Sequence, residues 1–192
     1  MCGLYGFFRN PTEAPNAPQK RLRYLVRSLA IFNETRGRDS TGLGIVGPQR
    51  VDLYKSTLAP TLFWRATEGR NALAAITPAT TLVVGHTRQA TSGGVSIENT
   101  HPFLMGDLLG AHNGIVWNDH LLTVKGTYTL TGVDSQAFFA YADEHSIKEA
   151  ITASQGSFAL TWSERPFTSV GLYVDDVSTL AIAYVRQFRL LV

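Results

Sequence analysis

Apolar residues recur along this chain with two periods, and the switches between those periods mark its elements. "GLYGFF" (3–8) is short, aromatic and glycine-punctuated, which predicts a first strand that buries the N-terminus. "NPTEAPNAP" (10–18) is read as a loop, because three prolines in nine residues sustain neither helix nor ladder. Leu22, Leu25, Val26, Leu29 and Asn33 then fall at helical spacing, with Gly37 as the stop. "TGLGIVG" and "VDLYKS" flank a turn at Pro48 and predict a hairpin. Residues 59–76 predict one helix with Gly69 as its weak point, and residues 80–88 a strand that runs into the polar loop "QATSGGVSIENTHPF". Residues 107–118 predict a strand broken at Asn113-Gly114. "DSQAFFAYADEH" (134–145) predicts an acid-capped amphipathic helix and "IKEAITA" a second one. "GSFALTWSE", "SVGLYVD" and "TLAIAYV" close the chain as strands. Strands in runs at both ends with helices between them argue for a layered α+β fold and against a doubly wound parallel sheet.

Composition narrows the picture. The 192 residues suit one well-buried domain and are few for two. Hydrophobic residues make up 44% and charged residues 17%, a globular balance. Lys and Arg total 17 against 15 Asp and Glu, spread along the chain, so there is no electrostatic footprint for nucleic acid or an anionic membrane. No apolar run is long enough to span a bilayer, and the first residues lack a secretory pattern. One cysteine excludes an internal disulfide and fits a reducing compartment, so a cytoplasmic location is expected.

That cysteine is Cys2. Once Met1 is removed, Cys2 carries both a thiol and a free α-amine. With ordinary pKa values of ~8.5 and ~7.7–8.0, the amine can take the thiol's proton. A small apolar side chain beside a strand is the plainer reading of the same position. Acyl transfer also needs donors where negative charge develops. Asn113 offers a side-chain amide and Gly114 a backbone N–H, although Asn-Gly is equally an ordinary turn. Arg88, at the end of an apolar strand, can grip a carboxylate or close a salt bridge. Asp134 can hold a cationic amine or cap a helix. Taken with Cys2, Arg88 and Asp134 suggest an amino-acid substrate bearing a carboxylate and an ammonium.

"CGLYGF", "RGRDSTG", "GHTRQATSGG", "NTHPF", "HNGIVWN", "VDSQ" and "GSFAL" occur in that order from Cys2 to about Leu160. Together they resemble the glutaminase domain of class II, N-terminal-nucleophile glutamine amidotransferases, most nearly that of glucosamine-6-phosphate synthase and its phage and bacterial stand-alone relatives. The resemblance implies a four-layer αββα sandwich forming a single domain over residues 1–192, complete or shortened at its C-terminus. By the family pattern Cys2 attacks the side-chain amide of L-glutamine with its α-amine as base, and Asn113 and Gly114 form the oxyanion hole. Arg88, helped by Thr91, would hold the substrate carboxylate and Asp134 its ammonium. Arg36, Gly37 and Asp39 would shape the nucleophile's surroundings. Neither metal nor cofactor is implied. The ammonia would serve a separate synthetase partner, and a homo-oligomer is left open.

The chain departs from the family at Gln89, where a tryptophan is common, at Ser92, where a histidine is frequent, and at Gln136, where a glutamate follows Asp-Ser. These positions bear on the loop over the substrate. A further departure is the early end at Val192, which suggests a sandwich edge completed by a partner. His86, His101 and His112 lack zinc-site spacing; His86 is read as structural, and His120 and His145 as surface. Three other readings stand beside this one. They are an amidohydrolase or γ-glutamyl peptidase of the same chemistry, a Cys-His hydrolase built on Cys2, His112 and Asn113, and a catalytically silent binding module.

Overall fold

The computed structural model describes residues 2–10, 18–48, 50–91, 93–126 and 128–192. Most of the proline-rich stretch read as a loop, residues 11–17, lies outside the described residues. The first half of the chain folds as β1 (Gly3–Arg9), α1 (Gln19–Asn33), β2 (Ser40–Val46), β3 (Val51–Ser56), α2 (Pro60–Phe63), α3 (Thr67–Ala75) and β4 (Leu82–Arg88). The second half adds β5 (Phe103–Met105), β6 (Leu108–Val116), α4 (Asp134–Glu144), α5 (Ile147–Ala153), β7 (Gly156–Glu164), β8 (Gly171–Val174), β9 (Tyr184–Val185) and β10 (Leu190–Leu191). One antiparallel sheet has the order β3-β2-β4-β1-β10-β9 and the other β5-β6-β7-β8.

Side-chain alternation turns these two sheets into four layers. On β4, Val83 points to the helices while Leu82 and Val84 point to the second sheet. The outer core on the first sheet joins Tyr5, Phe7, Leu43 and Ile45 to Leu22, Val26 and Ala30 of α1 and to Phe63 and Trp64. Between the sheets, Val46, Leu82 and Val84 pack on Leu109, Ala111 and Phe167. Beyond the second sheet, Phe158 and Leu160 meet Phe138, Phe139 and Ala142 of α4 and Ile147 of α5. The layers therefore run αββα, as expected.

Several local expectations are corrected. Residues 59–76 form two helices, and the break falls after Phe63 rather than at Gly69. Both Phe63 and Trp64 are buried, and the chain must turn between α2 and α3 to plant them. Gly69 lies inside α3 against that turn, where a Cβ would stand 2.1 Å from the Phe63 carbonyl oxygen. Nor is β6 interrupted: Asn113 pairs with Ala159 and Gly114 with Phe158, so Asn-Gly is not a turn. The loop "NTHPF" ends in β5, a short strand that pairs with β6. Of "TLAIAYV" only Tyr184–Val185 is strand; the buried Leu190 instead anchors β10 beside β1. Gly37 follows α1 by several residues and lies against the end of β4, where a Cβ would stand 2.5 Å from the Arg88 carbonyl carbon.

Candidate active site

Three strand ends converge on Cys2. The β1–β4 register, with Gly3 opposite Thr87, sets Cys2 level with Arg88. On β6, Asn113 shares the inter-sheet face with Leu109 and Ala111, four and two residues earlier. It thus faces β1 across the sandwich, and its Oδ1 accepts the Cys2 N–H at 3.1 Å. That bond fixes the amide's orientation and turns Nδ2 away from the Cys2 nitrogen. Arg36 Nε donates to the Cys2 carbonyl at 2.8 Å. The Gln89 N–H donates to Cys2 Sγ at 3.4 Å, and the thiol faces the Gln89 carbonyl at 3.5 Å.

The loop before β2 supports that turn. Asp39 Oδ2 accepts the Ala90 N–H at 2.7 Å and Gln89 Nε2 at 3.0 Å, while the Asp39 N–H donates to the Arg88 carbonyl at 2.9 Å. Arg88 is buried, and its Nη1 donates to the Gly94 carbonyl at 3.0 Å. Thr91 stands exposed just beyond. Asp134 is not the N-cap of α4; Val133 occupies that position, and the Asp134 carboxylate lies in the first turn. Its Oδ2 accepts the Val116 N–H at 2.7 Å and its Oδ1 the Ser135 N–H at 2.8 Å, which ties the start of α4 to the end of β6. Gly114 lies between these anchors, where a Cβ would stand 1.8 Å from the Ser157 carbonyl oxygen.

Electrostatics at the thiol oppose one another. Burial pushes the Cys2 thiol above its ordinary pKa and the Asp134 charge adds to the shift; the Gln89 N–H, the N-terminal charge and Arg88 lower it. His112 does not join this cluster. Its Nε2 faces the Ser157 carbonyl at 3.0 Å and therefore carries the proton, so its Nδ1 accepts from Ser135 Oγ at 2.9 Å. The ring stacks on Phe158 on the helix side of β6, away from Asn113, and burial lowers its pKa. A Cys-His pair is not formed.

No family model matches the chain. A glutamine–fructose-6-phosphate aminotransferase of Chlamydia caviae is 29% identical over 95% of this chain, and that of Corynebacterium diphtheriae is 32% identical over 62%. The chain spans 30% and 18% of those relatives' lengths. Among solved structures, the glutamine phosphoribosylpyrophosphate amidotransferase of B. subtilis matches 98% of this chain and 41% of its own, with a TM-score of 0.71 at 18% identity. The chain is thus similar in sequence to glutamine–fructose-6-phosphate aminotransferases and shares the fold of a glutamine amidotransferase.

Within this amidotransferase fold the structure gathers Cys2, Arg36, Gly37, Asp39, Arg88 and Asn113 around one strand end, with Gly114 and Asp134 joined to them through β6. Sequence reasoning marked His86 as structural and Gln136 as bearing on the loop, but gave neither residue's partners. His86, buried at the sheet interface, donates Nε2–H to the His112 carbonyl at 3.2 Å and so ties β4 to the strand carrying Asn113; burial drops its pKa to about 3. Gln136 is buried and bonded to two loops beside Arg88. Nothing in the spacing of Gln136 announced its partners. His120 and His145 are exposed. Among the described residues no cluster of three or more His, Cys, Asp or Glu could hold a metal, and no helix is long and apolar enough to cross a membrane.

Proposed function

We propose that this chain, as one glutaminase domain, hydrolyses the side-chain amide of L-glutamine to glutamate and ammonia through a thioester on Cys2. The observation that carries the reading is the 3.1 Å bond between the Cys2 nitrogen and Asn113 Oδ1, which supports Cys2 as nucleophile and base and Asn113 as the neighbouring oxyanion donor. With Met1 removed, the α-amine takes the thiol proton and Sγ attacks the amide carbon. The oxyanion forms toward Asn113 Nδ2 and the Gly114 N–H. The C–N bond breaks as the proton passes from the amine to the leaving nitrogen, and ammonia departs. Water then adds to the thioester, the amine again serving as base, and glutamate leaves with the thiol restored. Arg88 and Asp134 hold the carboxylate and ammonium that flank the substrate's α-carbon. Thr91, in the exposed turn after Arg88, completes the carboxylate's surroundings.

Ammonia made here would be used by an acceptor-activating protein on a separate chain, and the expected compartment is the cytoplasm. The relatives' aminotransferase names and their greater length support ammonia use at a second site. Intact-mass measurement after incubation with 6-diazo-5-oxonorleucine tests the central claim. A mass lacking Met1 and carrying one adduct, absent in Cys2→Ala, is the expected result. Met1 retained with no adduct overturns it.

A further inference from the structure

Gln136 lies on α4 two residues after Asp134, is 5% exposed, and engages both ends of its amide. Its Oε1 accepts the Thr131 N–H at 2.9 Å and lies 2.7 Å from the Thr131 hydroxyl. Its Nε2 donates to the Glu98 carbonyl at 2.9 Å. The same Thr131 hydroxyl also touches Asn99 Oδ1, and Asn99 Nδ2 donates to the Gly94 carbonyl at 2.9 Å. The Gly94 carbonyl is the oxygen that receives Arg88 Nη1 at 3.0 Å. An unbroken chain of contacts thus runs from the first turn of α4, through both neighbouring loops, to the Arg88 guanidinium.

We propose that Gln136 is a positioning residue that sets the separation of the Arg88 guanidinium and the Asp134 carboxylate, and thereby the demand for a substrate with a carboxylate and an ammonium on one carbon. The inference rests on the roles given to Arg88 and Asp134 above. An amide is required because the site needs a donor for the Glu98 carbonyl and an acceptor for the Thr131 N–H on one side chain. A carboxylate supplies acceptors only, so at this position it sets an oxygen against the Glu98 carbonyl. The neutral Gln136 therefore ties both loops that lead to Arg88, whereas a glutamate here would demand a different loop arrangement.

The test compares ammonia release by the full chain and its Gln136→Glu, Gln136→Ala and Asn99→Asp variants, with L-glutamine and with L-glutaminamide, whose α-carboxylate is capped. The loss of one buried hydrogen-bond partner sets the expected scale at about a tenfold rise in KM for L-glutamine, with kcat largely kept. The preference for L-glutamine over L-glutaminamide should narrow, most in Gln136→Glu. Alkylation of Cys2 by iodoacetamide should keep its rate, since the clasp does not touch the thiol. If Gln136→Glu fails to fold, Asn99→Asp breaks the same chain at Gly94 and carries the same expectation. Unchanged KM in variants of an active wild type, or a fall in kcat alone, overturns the clasp and leaves the glutaminase reading intact. A wild type that releases no ammonia from L-glutamine overturns both.

Discussion

At Cys2 the side-chain charges of Asp134 and Arg88 pull the thiol in opposite directions, and each can be removed separately. Burial and Asp134 raise its pKa, while the Gln89 N–H, the N-terminal charge and Arg88 lower it. Alkylation by iodoacetamide follows the thiolate fraction, so a raised pKa moves the rate profile to higher pH. Asp134→Asn removes an anion and should shift the profile to lower pH. Arg88→Gln removes a cation and should shift it to higher pH. A stopped-time series read by mass spectrometry checks both, and shifts of the same sign in the two variants would contradict the arrangement. The sequence made these residues legible because each sat in a short motif. Their signs of influence on the thiol were not legible, since those depend on distances across the sandwich.

Two glycines decide how elements meet, for the same physical reason. Gly69 lies in α3, where replacing glycine by alanine ordinarily favours a helix. Here the added Cβ would meet the Phe63 carbonyl oxygen at 2.1 Å and the Trp64 Cα at 2.8 Å, so the α2–α3 turn must open. Gly69→Ala should therefore destabilise by about 1–3 kcal/mol, the cost of overpacking, read as a lower urea midpoint. Gly114→Ala should cost at least as much, because its Cβ would press on both the Ser157 carbonyl and His112 Nε2, at 1.8 and 2.5 Å. The periodicity of α1, β1 and β4 was readable because one face of each repeats apolar residues. The split of residues 59–76 was not, since Phe63 and Trp64 are both apolar and only tertiary packing requires that both be buried. The continuity of β6 through Asn113-Gly114 was hidden likewise: local turn propensity is overridden by the ladder to β7.

Across the whole molecule, buried histidines make stability depend on pH. The His101 ring packs, tilted, against His86 at 4.2 Å and Phe103 at 4.5 Å between centroids, and among the described residues its ring nitrogens have no hydrogen-bond partner. Burial, reinforced by the charges of His86, His112, Lys55 and Arg88, holds its pKa well below the ordinary value. The folded state thus keeps this ring neutral where the unfolded chain binds a proton. Its contribution is fully present above the unfolded pKa of ~6.5 and falls as acid is added, by up to ~1.4 kcal/mol per pH unit. His101→Phe should flatten the decline of melting temperature between pH 6.5 and 4, measured by thermal unfolding at fixed ionic strength. An equal slope in the variant would assign the acid sensitivity elsewhere. The contact between Cys2 and Asn113 has a broader consequence, because it crosses from one sheet to the other. The sheets act as two jaws, with the Cys2 thiol and Arg88 guanidinium on one and Asn113 and Gly114, the proposed oxyanion donors, on the other. Their grip is set by the thickness of the apolar layer between them, so a swollen state with every strand intact would hold the parts of the site without the site itself.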